Sequence, residues 1–401
     1  MRHSFLPKSL NSLLCALPLV GLVATAVQAQ AFFADFVVDP VTGVDRGSTS
    51  QIRKVEEFTT VATLSNTGST PIGRNVASLG VSMPLGSKYG SQIDLLGVIG
   101  GLDVNGGLEL RAAGVGYRLG VASGTTLYVN YDYGDYLLGT AELLPLDVTG
   151  VHETLALGVR HVWQLGESKL TGSVELAAKQ RSDEVLGFEV TNEDLRLLRL
   201  GVMHETGQPF SLRSRLALAV TKGLPGLGAS LAENPLPSAR GVTPDFLRVA
   251  FSAEASVPLR ATTYVNAGLI GQVTRDSLPV SQRCGYGTNG YSRGFDRSYV
   301  LADQCFGGRI ELAQDFQPPS MASGALRRTQ GFAAIDGGRL RNMGSALSDG
   351  RSDSWSSANW GVRTLQGNFL GEIALSHILT KPEGPAPQDT TRLWFQAAYQ
   401  F

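Results

Sequence analysis

Five histidines (His3, His152, His161, His204 and His377) and three cysteines (Cys15, Cys284 and Cys305) are the residues of this chain best suited to metal ligation or proton transfer. None stands in an H-E-x-x-H or paired Cys/His spacing, which is how a chain brings two ligands to one point. No G-x-S-x-G elbow presents a nucleophilic serine, and no glycine-rich phosphate loop is present. Adjacent carboxylates such as Glu56-Glu57 read as solvated charge rather than as a matched acid and base. An outer-surface hydrolase would need Ser and His aligned on adjacent strands, and no motif marks such a pair. The sequence implies no enzyme, no metal and no cofactor. Its net charge of −1 supplies no basic field for nucleic acid. What remains is a sparse set of charges spaced among apolar and glycine residues, and the question becomes what scaffold spaces them so.

The composition narrows that scaffold. Charged residues are 17% of the chain, below the roughly 25% of soluble proteins. Glycine accounts for 48 of 401 residues, well above the usual share of about 7%. The longest apolar run, Leu13–Val27, is broken by Pro18 and Gly21 and falls short of the about 20 residues of a spanning helix. From Glu56 onward the chain repeats one unit: about ten residues of alternating polarity, then a break at Gly, Pro, Asn, Asp or Ser. In Phe246–Val257, Leu247, Val249, Phe251, Ala253, Ala255 and Val257 share one face, and Arg248, Ser252, Glu254 and Ser256 the other. The same pattern predicts strands near 56–66, 74–83, 92–100, 107–118, 125–134, 151–163, 169–180, 193–205, 210–222, 246–257, 261–272, 305–316, 329–339, 356–366, 369–379 and 391–401. That makes sixteen, an even number. The runs 107–118 and 193–205 change phase midway, as at a bulge.

Each run is close to the 9–11 tilted residues that cross a bilayer. One face is apolar, and the other carries Arg, Glu, Asp and Gln that a dry core would not accept unpaired. A barrel satisfies both faces, with lipid outside and water or a polar plug inside. Closure pairs every backbone group, as a membrane requires. Short turns (84–89, 166–168) alternate with longer loops (135–150, 223–245, 273–304, 340–355), as periplasmic turns alternate with extracellular loops. A soluble β-sandwich or solenoid is the competing architecture, but no sequence repeat of fixed period supports it. The expected fold class is all-β, a 16-stranded antiparallel transmembrane β-barrel. Trp394, Tyr131, Tyr133 and Tyr399 suit aromatic girdles.

Arg2, His3 and Lys8, an apolar stretch, and the small residues around Ala26–Ala31 read as an export signal cut after Ala29 or Ala31. An uncleaved anchor is the alternative. Leu14 before Cys15 argues against lipidation there. The expected organisation is a signal peptide over 1–29, a short periplasmic lead-in over 30–54 and a barrel over 55–401. In an exported compartment Cys284 and Cys305 can pair and close a loop of about 20 residues. Two independent thiols are the other reading. The chain ends Leu393-Trp-Phe395-Gln-Ala397-Ala-Tyr399-Gln-Phe401. Phe395, Tyr399 and the terminal Phe401 resemble the signal read by the barrel assembly machinery of the bacterial outer membrane.

Between these features lie three motifs: Tyr291-Ser-Arg293-Gly294-Phe295-Asp296, then Gly307-Gly-Arg-Ile-Glu311-Leu312, then Ala334-Ile335-Asp336-Gly337-Gly338. Together they resemble the two-partner secretion transporters, the haemolysin secretion/activation proteins of ShlB/FhaC/HecB type. In that family a VRGF or VRGY core tips the sixth extracellular loop, and F-x-D-x-G follows on a later strand. Here Ser292 replaces Val, and Ala334 stands where Phe is usual, with Phe332 two residues earlier. Leu64-Ser-Asn66-Thr-Gly68-Ser, Gly73-Arg74, Met83-Pro-Leu-Gly86 and Tyr117-Arg-Leu-Gly120 extend the likeness over about 55–401. The resemblance implies that the sixth loop folds into the lumen, where Arg293 meets Asp336 with Glu311 nearby. It also implies that Gly294 permits a tight tip, that Phe295 packs on the wall, and that Gly338 belongs to the same lock.

The resemblance further implies an outer-membrane translocator that passes an exported polypeptide partner through its lumen, in contact with outer-membrane lipid. Family members usually carry two POTRA domains of about 75 residues before the barrel, and residues 30–54 are expected to be too short for one. Recognition would then come from a separate POTRA-bearing protein, or export would proceed differently. A passive porin or solute channel, and a surface-exposed structural barrel, are the alternative functions.

Overall fold

The computed structural model describes residues 58–66, 68, 73–101, 110–138, 145, 147–206, 213–230, 234–239, 241–285, 293–296, 301–317, 320–322, 325–343, 352–381 and 389–401. The expected signal peptide and lead-in lie outside the described residues, as do Cys15, Glu56, Glu57 and Ser292.

Alternating polarity yields sixteen long strands: β1 (Thr59–Ser65), β2 (Val76–Pro84), β3 (Ser91–Gly100), β4 (Leu110–Ala122), β5 (Thr125–Leu137), β6 (Thr149–Leu165), β7 (Ser168–Val185) and β8 (Phe188–Thr206), followed by β9 (Arg213–Gly223), β10 (Leu247–Arg260), β11 (Thr263–Thr274), β12 (Gln304–Asp315), β13 (Ala325–Arg341), β14 (Ser352–Gln366), β15 (Phe369–Thr380) and β16 (Thr391–Gln400). Each pairs antiparallel with its sequence neighbours, and β1 pairs antiparallel with β16. The sheet therefore closes on itself as a sixteen-stranded barrel. A three-residue piece, Ser320–Ala322, adds to the start of β13, and Cys284–Gly285 pairs with Leu301–Ala302 inside the sixth loop.

Burial is inverted relative to a soluble protein. On β12, Ile310 is 66% exposed while its neighbour Glu311 is fully buried. Leu155, Leu157, Leu176, Leu200, Val202, Ile335 and Ile373 are exposed on the outer wall, whereas Glu175, Lys179, Arg181 and Asp336 are buried on the inner one. Only lipid outside and a polar interior make that sorting favourable. Inside, charges are neutralised across strands. Asp94 pairs with Arg118 at 3.1 Å, Glu175 with Arg199 at 2.9 Å, and Arg181 with Asp183 at 2.9 Å. Tyr128 and Tyr136 donate hydrogen bonds to Glu175 and Asp183.

Strands β6 to β8 run 17 to 19 residues, beyond the 9–11 needed to cross. β7 and β8 are joined by the two-residue turn Leu186-Gly187, both at positive φ. Neither expected phase change is a bulge within its run: over 110–118 β4 pairs regularly, and Leu110 breaks the alternation because it is buried on the lumen side with Tyr136. The register shift of β4, between Gly120 and Ala122, lies beyond that run at the turn to β5. β8 pairs regularly with β9, and its apparent phase change arises because Leu195 and Leu197 point inward. There they pack in an apolar cluster with Phe246 and Leu278 from the neighbouring long loops. Of the four aromatics expected in girdles, Tyr131, Tyr133 and Tyr399 are exposed on the outer wall, whereas Trp394 is not. Its parity on β16 is opposite to that of Leu393 and Tyr399, so it points into the lumen and is buried.

Candidate functional site

The inner faces of β12 to β16 present Glu311, Phe332, Arg363, Glu372 and Trp394, one from each successive strand. The tip of the sixth loop, Arg293–Asp296, lies against them. Arg293 Nη2 makes an ion pair with Glu372 at 2.6 Å, and Nη1 lies 3.9 Å from Glu311. The guanidinium carbon sits 5.1 Å from the Phe332 ring centre and 5.0 Å from that of Trp394. A weakly hydrated planar cation is suited to this sandwich of two rings and two carboxylates. Glu311 is held from its other side by Arg363 at 2.5 Å, and it accepts a hydrogen bond from Asn266 at 2.9 Å. Arg363 also donates to Gln330 at 2.6 Å. Arg293 and Glu372 are each 5% exposed, so their ion pair is nearly dry.

The carboxylates that meet Arg293 are Glu372 and Glu311, in place of the expected Asp336. The reason lies in the register. Asp336 stands opposite Ser357 on β14, and Ser357 and Asn359 both donate hydrogen bonds to it. Asn359 in turn accepts a bond from Ser376 on β15. Asp336 therefore braces the wall beneath the tip. Gly294 rests directly on that wall: a Cβ there would come within 3.1 Å of Ile378 Cγ1 and 3.2 Å of Ser357 Cβ. Phe295 is buried with Ala302, Leu340, Trp355 and Ile378, and its ring meets Trp355 edge-on at 6.1 Å. Gly338 makes room for that tryptophan, since a Cβ would lie 2.9 Å from the Trp355 ring and 2.2 Å from the Phe306 carbonyl. Gly338 thus reaches the tip through Trp355.

Further contacts hold the loop where it leaves and re-enters the wall. Cys284 and Cys305 are joined by a disulfide with their Cα atoms 6.2 Å apart. Buried Asp303 accepts hydrogen bonds from the Leu278 and Met343 amides and pairs with Arg283 at 3.1 Å. Arg248 donates to Gln272 and to the Gln282 carbonyl. Ser281 of this loop and Ser238 of the preceding one both donate to Glu193 on β8. At the chain terminus, Phe395 is half-buried while Tyr399 and Phe401 are exposed. The Tyr399 and Phe401 rings meet at 4.8 Å, and the Phe401 amide donates to Thr60 at 2.8 Å. Sequence reasoning assigned no role to Glu372, Arg363, Arg392 or Asp296. The usable signal was parity, because charges on the lumen side of a strand face whatever enters the lumen.

A closed sixteen-stranded barrel with an apolar outer wall, a polar interior and an inserted loop tip defines a transmembrane β-barrel. Residues 52–364 match the family described as haemolysin secretion/activation protein ShlB/FhaC/HecB, and the chain belongs to it. No curated protein matches the sequence. CdiB from Escherichia coli superposes with a TM-score of 0.72 at 19% identity, over 89% of this chain and 64% of CdiB. CdiB from Acinetobacter baumannii gives 0.63 at 16%, over 86% and 60%. BamA from Haemophilus ducreyi lacking POTRA domains 1–3 gives 0.58 at 12%, over 88% and 71%. The chain thus spans less than two thirds of the length of either CdiB. These likenesses establish the fold, and fold and family together place the protein in the bacterial outer membrane.

Proposed function

We propose that this barrel is the outer-membrane translocator of a two-partner secretion system, passing one exported polypeptide through its lumen. The observation that carries the proposal is the RGF-bearing tip lodged on Glu372 and Glu311 in a chain of the haemolysin secretion/activation family. A dry ion pair flanked by aromatic rings fixes a position without forming a covalent step, so the arrangement suits a movable plug. In this reading Arg293, Gly294 and Phe295 hold the loop in the lumen, and the loop must shift for a polypeptide to pass. Glu311, Asp336 and Gly338 keep the receiving wall in shape. Residues 1–29 would direct export, 30–54 would lead into the barrel in the periplasm, and 55–401 would form the wall. Phe395, Tyr399 and Phe401 would be read by the assembly machinery. The exported protein and any POTRA-bearing helper are the partners proposed.

The test is secretion of candidate partner polypeptides co-expressed with this chain. Appearance of one in the medium, dependent on the barrel, supports the reading. Small-solute uptake and steady conductance, with no partner ever secreted, would replace it with a passive channel.

A further inference from the structure

Among the described residues the ladder that closes the barrel is the shortest between its sixteen long strands. The β1–β16 ladder runs only over Val61–Ser65 against Gln396–Gln400, while β7 and β8 pair over Ser168–Val185 against Phe188–Thr206. Among the described residues the paired part of β1 ends at Ser65, β16 starts at Thr391, and the Asn66 amide still donates to the Phe395 carbonyl at 3.2 Å. Asn66 takes over there. Its side chain donates to the Leu393 carbonyl at 2.6 Å and accepts from the Phe395 amide at 2.8 Å. Arg392 donates to the Asn66 carbonyl as well.

The loop tip reaches this same place. Asp296, buried and next to Phe295, accepts from Arg392 of β16 at 2.9 Å and from Arg74 Nε at 3.0 Å. Arg74 stands just before β2, on the β1 side of the seam, and its carbonyl accepts from the Gly68 amide. Arg392 also donates to the Phe295 carbonyl at 2.9 Å. One carboxylate therefore bridges two guanidinium groups that belong to opposite edges of the closure. Arg74 and Arg392 carry the same charge, and the shared anion is what makes their approach favourable.

We propose that Asp296 is a positioning residue that clasps the β1–β16 seam, so that insertion of the sixth loop and closure of the upper seam form one coupled equilibrium. When the tip leaves, both arginines lose this shared partner and the upper seam loosens. When the seam opens, Arg74 and Arg392 separate and the tip loses its bridge. Coupling of this kind is reciprocal by thermodynamic necessity. The inference requires only the geometry of the resting barrel and stands whether or not a polypeptide is the cargo.

Hydrogen exchange on the full chain in bilayer nanodiscs tests it, with β7–β8 as internal reference and heat-modifiable gel mobility as the check on assembly. Asp296→Asn should speed exchange at 61–66 and 391–395 by about tenfold to a hundredfold, the worth of a charge-assisted hydrogen bond. The β7–β8 amides should stay unchanged. Asp296→Glu should restore part of the protection. Arg293→Ala, which frees the tip at a different contact, should also speed exchange at the seam. Wild-type seam exchange in an assembled Asp296→Asn variant overturns the proposal, even if secretion is affected. Should Asp296→Asn fail to assemble, the reverse arm decides. A Thr63→Cys/Ala398→Cys cross-link, placed at a paired position of the seam, should slow exchange in the loop segment 293–296. Unaltered exchange there refutes the coupling.

Discussion

Replacing Arg293 by alanine removes the cation from a site where it is 5% exposed between Glu372 and Glu311. Breaking a buried ion pair from one side costs about 3–5 kcal/mol, most of it from the charge left behind. Glu311 keeps Arg363 and Asn266, so the loss falls mainly on Glu372. Water can enter a lumen as the tip departs, which argues for the lower end of that range. The two ring contacts contribute about 0.5–1 kcal/mol each. A total near 4 kcal/mol corresponds to about a thousandfold shift from docked to undocked tip. Phe295 and Asp296 still hold, so the loop should sample the undocked state rather than vacate the lumen. In planar bilayers the variant should show long open events that are rare in the wild type, with normal heat-modifiable mobility. Arg293→Lys should fall between, because it keeps the charge but loses the planar fork and most of the stacking. An open fraction equal to wild type in an assembled Arg293→Ala protein would refute the assignment of this arginine as the holding contact.

Gly294→Val should undock the tip with effect comparable to Arg293→Ala, since even a Cβ already presses Ile378 and Ser357; the same conductance recording checks it. Phe295→Ala should cost about 3 kcal/mol of tip docking by emptying the pocket beside Trp355, read as greater protease cleavage between Cys284 and Cys305. Reducing the Cys284–Cys305 bond, or replacing both residues by serine, should loosen the loop base by about 3 kcal/mol. Protease sensitivity confined to the loop, with unchanged barrel mobility, is the expected pattern. Deleting Phe401 should lower assembled barrel in the outer membrane, and equal levels with an equal gel shift would count against its role in assembly.

Most of the wall was legible because period-two alternation is enforced at every step when one side is lipid and the other is not. Phe246–Val257 shows this, and Ile310 beside Glu311 shows why it works: a one-residue error would place a carboxylate in hydrocarbon. The interior was less legible. Leu195, Leu197 and Trp394 are apolar residues at lumen parity, and alternation alone reads them as a bulge or a girdle. They are instead where loops come back inside, so a break in phase marks a docking place rather than a defect. Arg293 could be singled out by its Arg-Gly-Phe setting, but its carboxylate could not. Which of Glu311, Asp336 and Glu372 receives it depends on the stagger between β12, β13 and β15 and on how far the loop reaches, which are long-range quantities. Asp336 has Ser357 and Asn359 directly beside it, whereas Glu372 faces the Arg293 guanidinium at 2.6 Å.

The two halves of the tip contribute differently to its hold, and the lumen explains the difference. An ion pair inside a barrel competes with water that can fill the space once the loop leaves, so its net stabilisation is modest compared with the cost of breaking it from one side. Burial of Phe295 against Leu340, Trp355 and Ile378 does not suffer that competition, because re-exposing those surfaces to water is itself unfavourable. The aromatic contact therefore supplies depth of docking, and the charged contacts supply position. Arg293 is held between Glu372 and Glu311, and Asp296 pairs with Arg74 and Arg392. A tip held mainly by apolar area would slide on the wall, while one held mainly by charge would trade its partners for water. Placing Gly294 between Arg293 and Phe295 lets both contacts form at once against one patch of wall.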